Sequence, residues 1–330
     1  MHILHNERRM IRMNGLRQTD EGYLQYVEGY AGPIDLPAGT TSCAHMFESC
    51  VVEDGCYLRN FDTSSVTDMT AMFYDCQLPE GFTLGDSFDT SKVKTMEEMF
   101  GRCNLPEGFT LGNKFDTSAV ENFTSMFVAC CFNSGFTLGR NFDTWRGKYF
   151  GGMFYQCKFP KGFTLGDKFD TSAAIDMSDM FANCAFNEGF TLGDQFDTHG
   201  VINMECMFDE CNIPSWFTLG DEFDTRSVRN MFGMFCKATI PEEFSLPKEF
   251  VTNDNVDMNS MFDDAKLPRR CKGLWRTPDI IEVLKSGSAN FGCEEYLKSL
   301  FGVKFSDLPT ASVANCETKE DCDDLYNRFM

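Results

Sequence analysis

The chain has 330 residues, with 50 acidic side chains against 29 Lys plus Arg and a formal charge of −21. Residues 41–265 hold most of the imbalance, 15 basic against 35 acidic, so the body repels DNA, RNA and anionic lipid; the charge is read first as keeping the chain soluble, with a cation or a basic partner as the other readings, and the expected partner is another protein. No run approaches the roughly 18 apolar residues of a membrane span, and the N-terminal MHILHNERRMIRMNGLR lacks the apolar stretch of about 7–15 residues that a secretion signal needs; a cytoplasmic protein is expected, with a virion or a cell surface as the other settings.

Residues 1–40 are predicted to form an N-terminal cap, with the aromatics of 23–30 suited to covering an open apolar end. The segment 36–50 (LPAGTTSCAHMFESC) is a worn first copy of a repeat. Beyond it one phrase returns every 27 residues: Phe-Asp-Thr begins at Phe61, Phe88, Phe115, Phe142, Phe169, Phe196 and Phe223, with a decayed copy at Phe250. A Met-Phe pair keeps step from Phe73 to Phe262, without insertion. A period of this size predicts one supersecondary unit stacked on itself, a solenoid over 41–265.

Within one copy, FTLG at 109–112 alternates apolar and polar side chains and predicts a short strand with Thr outward. The apolar positions Val120, Phe123, Met126, Phe127 and Cys130 fall at steps of three and four, which predicts a short helix. The preceding Asp-Thr-Ser has the composition of a helix N-cap, so the ladder Asp62, Asp89, Asp116, Asp143, Asp170, Asp197 and Asp224 is assigned to capping. The expected fold is therefore an α/β solenoid, a curved stack of about nine coils. Strands would line its concave side, because strands space at about 4.8 Å and helices at about 8–10 Å. Stacking should align Phe82, Phe109, Phe136, Phe163, Phe190 and Phe217 in a buried column, and Thr83, Thr110, Thr137, Thr164, Thr191 and Thr218 in an exposed one. Cys50, Cys76, Cys103, Cys130, Cys157, Cys184 and Cys211 recur after the Met-Phe pair and are expected to be reduced, small, buried groups.

The pattern breaks in the copy beginning at Phe142. There Trp145, Arg146, Lys148 and Tyr149 replace the usual small and polar residues, and Trp, Tyr and Arg are favoured interface anchors. Trp216 replaces a corner glycine. These residues are one candidate contact site. The acidic column Asp86, Asp167, Asp194 and Asp221, interrupted by Arg140 and Lys248, is a second.

The phrase FDTSSVTDMTAMFYDC at 61–76, repeated as FDTSKVKTMEEMFGRC at 88–103, resembles the BspA-like leucine-rich repeats of bacterial and mycoplasma surface proteins. The resemblance covers about 41–265 and implies a leucine-rich-repeat-like solenoid, a non-catalytic module for protein recognition or adhesion. Past residue 266 the period stops, and helical stretches at 278–285, 294–301 and 319–329 predict a helical C-terminal cap over 266–330.

No catalytic motif is present, and the four histidines, His2, His5, His45 and His199, lie outside any such pattern. The chain is expected to be non-enzymatic, without cofactor. Cys43, His45, Cys50 and Cys56 could supply zinc ligands, but their spacing lacks the paired C-x-x-C of structural sites, so no metal is expected. The rival to a recognition scaffold is an acidic intracellular inhibitor, phage-encoded or otherwise, whose carboxylates imitate nucleic acid and block a basic channel such as that of a defence nuclease.

Overall fold

The computed structural model describes residues 14–241, 243–244, 246–247, 250 and 256–266. The predicted C-terminal helices and Lys248 lie outside the described residues.

The architecture follows from where each copy sends its backbone N–H groups. In the copy beginning at Phe115, the N–H groups of Phe123, Ser125, Phe127 and Ala129 donate to the carbonyls of Tyr149, Gly151, Met153 and Tyr155 in the next copy, at 2.6–2.9 Å. The intervening groups stay local: Met126, Val128 and Cys130 close turns onto Phe123, Ser125 and Phe127. Ser125 and Ala129 supply the left-handed residues that these turns require, with φ of 53° and 50°. The same two positions are left-handed at Glu98 and Arg102 and at Asp179 and Asn183, while Gly152 and Gly233 occupy the first of them in two other copies.

This arrangement corrects the helix expected over 120–130. The described residues contain no α-helix, and this stretch is a run of turns. Val120, Phe123, Met126, Phe127 and Cys130 are nevertheless all buried. A helix would commit its N–H groups to its own carbonyls four residues back. Turns free alternate ones to join neighbouring copies.

Parallel bridges accordingly link Asp68, Thr95, Asn122, Tyr149, Asp176, Asn203, Asn230 and Asp257 in one row. A second row runs through Gln77, Asn104 and Cys131, with further links Lys158–Ala185 and Asn212–Thr239–Lys266. Successive copies thus lie parallel and in register at the sequence period.

The FTLG segments have the predicted burial pattern, Phe109 and Leu111 inside and Thr110 exposed, yet they form no strands. None of the N–H groups of Thr164, Leu165, Gly166, Thr191, Leu192 and Gly193 donates to another described residue. Spacing explains the difference. Phe136, Phe163, Phe190 and Phe217 stack at 6.3–6.5 Å, too far apart for a ladder that needs about 4.8 Å. On the bonded side the Met-Phe rings are closer, 5.0 Å for Phe47–Phe73 and 5.8 Å for Phe127–Phe154. The six exposed threonines do form the expected outer column.

Two further devices tie the copies. The buried Thr117 hydroxyl donates to the Asp143 carbonyl at 2.8 Å and accepts from the Asp143 N–H at 2.7 Å, and Thr63 and Thr198 do the same to Asp89 and Asp224. The recurring cysteines are free thiols, and those of Cys157, Cys184 and Cys211 donate to the carbonyls of Phe127, Phe154 and Phe181 in the preceding copy. Burial pushes the Cys103 and Cys211 thiols up to about 12, so they stay protonated.

At the N-terminal end, β1 (Leu16–Gln18) pairs antiparallel with β2 (Leu24–Tyr26), and β3 (Pro33–Ile34) pairs parallel with β4 (Tyr57–Leu58). Tyr26 donates its N–H to the Met46 carbonyl and lays its ring 5.6 Å from Phe47, so the aromatic column continues into the hairpin.

Candidate functional site

The Asp ladder caps turns rather than helices. Asp89, Asp116 and Asp170 each accept the N–H of the residue two positions on, at 2.9 Å, which shapes the tight corner before the buried Val or Ala. At Asp143 that residue is Trp145, bonded at 3.3 Å. The corner therefore fixes the Trp145 backbone while its side chain stands 47% exposed.

The other residues of this break have distinct roles. The Arg146 guanidinium lies 4.5 Å from the Trp145 ring centroid, a cation–π contact that orders both side chains. Lys148 pairs with Glu121 at 2.8 Å; the bond pushes the Lys148 ammonium up and holds the Glu121 carboxyl down. Both cations are therefore engaged within the chain. Tyr149, 42% exposed, occupies the row of bridges where neighbouring copies carry Asn122 and Asp176.

Gly147 has a packing reason. A Cβ there would lie 2.4 Å from the Phe150 ring, which stacks on Phe123 at 5.3 Å. Most copies carry Val and Met at these two places, such as Val93 with Met96, while the preceding copy buries Val120 and Phe123 together, so the clash at Gly147 belongs to the orientation of the Phe150 ring. The break thus exchanges volume inside the stack at Gly147 and Phe150 while it changes the surface at Trp145 and Tyr149.

Sequence reading missed two members of this surface. Ile202 is 44% and Phe232 39% exposed. Ile202 donates its N–H to Ile175 and accepts from Arg229, beside the row that holds Tyr149, and Phe232 follows Asn230 in the same row. The signal was available: position seven of the copy changes from Lys94, Glu121 and Lys148 to Ile175 and Ile202. Tyr149, Ile202 and Phe232 thus lie in or beside one row of bridges, with Trp145 four residues before Tyr149; the copy beginning at Phe169 adds no exposed large apolar side chain.

Trp216 is not part of this face. It precedes Phe217 on the FTLG side, in a turn closed by the Phe217 N–H on the Pro214 carbonyl. The equivalent Gly81, Gly108, Gly162 and Gly189 hold φ between 74° and 90°, a conformation Trp216 does not adopt. The acidic column lies on the FTLG side too. Asp86, Asp167, Asp194 and Asp221 are all exposed. Asp167 and Asp194 line one groove of about 410 Å³, and an adjoining groove of about 440 Å³ shares Asp167 and adds Arg140.

The four candidate zinc ligands are otherwise occupied. Cys43 is buried, with its thiol pushed up to about 12; His45 bonds Glu48; Cys50 donates to the Glu48 carbonyl and Cys56 to the Tyr30 carbonyl. Among the described residues no group of three or more such side chains is placed to hold a metal ion.

A family model described as "Mycoplasma protein of unknown function, DUF285" matches residues 41–164, 84–191 and 148–275. The chain belongs to the DUF285 family. The three matches overlap, as they do when one model fits a periodic chain in several registers, and together they cover both faces described above. No curated protein and no solved structure matches the chain. Among the described residues of this DUF285 protein, no helix is long and apolar enough to cross a membrane.

Proposed function

We propose that this DUF285 chain is a non-catalytic scaffold, a solenoid of stacked copies closed by the N-terminal hairpin, that recognises another protein through its hydrogen-bonded side. The observation that carries this reading is the exposure of Tyr149, Ile202 and Phe232 at the row of bridges, with Trp145 exposed four residues before Tyr149. Aromatic and aliphatic groups held by a rigid backbone lose little freedom on binding and serve as anchors. The likeness of the FDTS phrase to BspA-like repeats supports recognition or adhesion. The test is the double variant Trp145→Ala, Tyr149→Ala: with melting unchanged, capture of the partner from the native host should fall about tenfold or more. Undiminished capture removes this face from the function.

The second reading, an acidic inhibitor that blocks a basic nucleic-acid-binding protein, is favoured by the exposure of Asp167 and Asp194 in one groove. Such a complex should weaken steeply as salt rises, whereas an apolar anchor site should not.

A further inference from the structure

The FTLG side offers a binding site of a different kind. Two grooves, of about 410 and 440 Å³, share Thr164, Gly166 and Asp167 and so form one channel across three successive copies. The backbone along it is unspent: the N–H groups of Thr164, Leu165, Thr191 and Leu192 make no hydrogen bond to another described residue. Each of the three copies lining the channel adds a Thr hydroxyl, at Thr137, Thr164 and Thr191, and a charged side chain, at Arg140, Asp167 and Asp194.

The repeat distance selects the occupant. The buried rings beneath this side lie 6.5, 6.3 and 6.4 Å apart and are parallel within 4–10°, so these distances give the step from copy to copy in the core under the channel. An extended peptide advances about 3.3–3.4 Å per residue, or about 6.6–6.8 Å per pair, and side chains two apart point the same way. One dipeptide is therefore close in length to one copy. The charges that line the channel are Arg140, Asp167, Lys168 and Asp194, of which Lys168 is paired with Asp143 at 3.6 Å; Asp221 is exposed at the matching place of the next copy.

Resting on the protein-recognition reading above, we propose that this channel binds an extended peptide segment running along the stack, with Lys or Arg at every second residue opposite Asp167, Asp194 and Asp221, and a neutral or acidic residue opposite Arg140. The segment would use its own N–H and C=O groups on the free backbone of the FTLG corners. A nucleic-acid strand fits poorly, because its phosphates would face the aspartates.

The test uses the full chain and two fluorescent synthetic peptides of equal length and charge, one with Lys at every second residue and Thr between, the other with the lysines gathered at one end. The alternating peptide should bind about tenfold more tightly by anisotropy. Asp167→Asn with Asp194→Asn should erase that preference, and Thr191→Trp, which fills the channel at an exposed position, should do so without touching a charge. Equal binding of the two peptides, or a preference that survives both variants, overturns the proposal, as does failure of the alternating peptide to bind. These outcomes are independent of Trp145 and Tyr149. Partner capture that depends on those two residues would leave the scaffold reading standing even where the channel proposal fails.

Discussion

At Thr117 one hydroxyl joins two copies, donating to the Asp143 carbonyl and accepting from its N–H in a fully buried setting. Thr117→Val keeps the shape and strands both backbone groups, at about 1–3 kcal/mol for each unsatisfied group. Urea unfolding should show a loss of about 2–4 kcal/mol, and Thr117→Ser should recover most of it. Asp179 shows the opposite balance. Burial first, then the charges of Glu205, Asp209 and Asp176, push its carboxyl up to about 6 from 3.8. The folded state therefore holds a proton that the unfolded chain releases, and this contribution to stability is present below about pH 4 and lost as pH rises to about 6. Asp179→Asn should gain on the wild type by about 2 kcal/mol between acid and neutral pH, after allowance for the solvent that reaches the group. A difference that does not change with pH would refute this assignment.

At the scale of the element, Gly147 and Phe150 form a size exchange. Gly147→Val alone should cost about 1–3 kcal/mol by overpacking. Phe150→Met alone should cost about 1–2 kcal/mol through lost volume. The pair together, which gives the Val and Met of copies such as Val93 and Met96, should lie well below the sum in a double-mutant cycle. The same element shows how helix and turn differ. Steps of three and four place Val120, Phe123, Met126, Phe127 and Cys130 inward in either structure, so apolar spacing does not separate the two. The distinction lies in the destination of the Ser125 and Ala129 N–H groups, which go to the next copy. Nor does glycine mark the left-handed corners, since Glu98, Arg102, Ser125 and Ala129 occupy them. The surface was partly legible: Trp145 and Tyr149 stood out against the repeat, whereas Ile202 and Phe232 became a site only when the rows placed them beside each other.

For the whole molecule, contacts run mainly between neighbouring copies, so stability should approach a sum over interfaces. Deleting residues 115–141, one full period, should leave a folded chain with a lower melting temperature and cooperative unfolding. Deleting half a period from the same place should abolish the transition, because every buried column after the cut would fall out of register. Comparison of the two deletions by thermal circular dichroism checks this.

The amino-acid order by itself determined the period, the identity of the buried columns and the exposed threonine column, because burial of apolar side chains repeats wherever the phrase repeats. Tertiary structure alone decided that turns replace helices and that the FTLG corners remain unpaired. The physical reason is that backbone hydrogen bonds between copies are chosen by the distance between copies, a quantity set only when the stack closes its core.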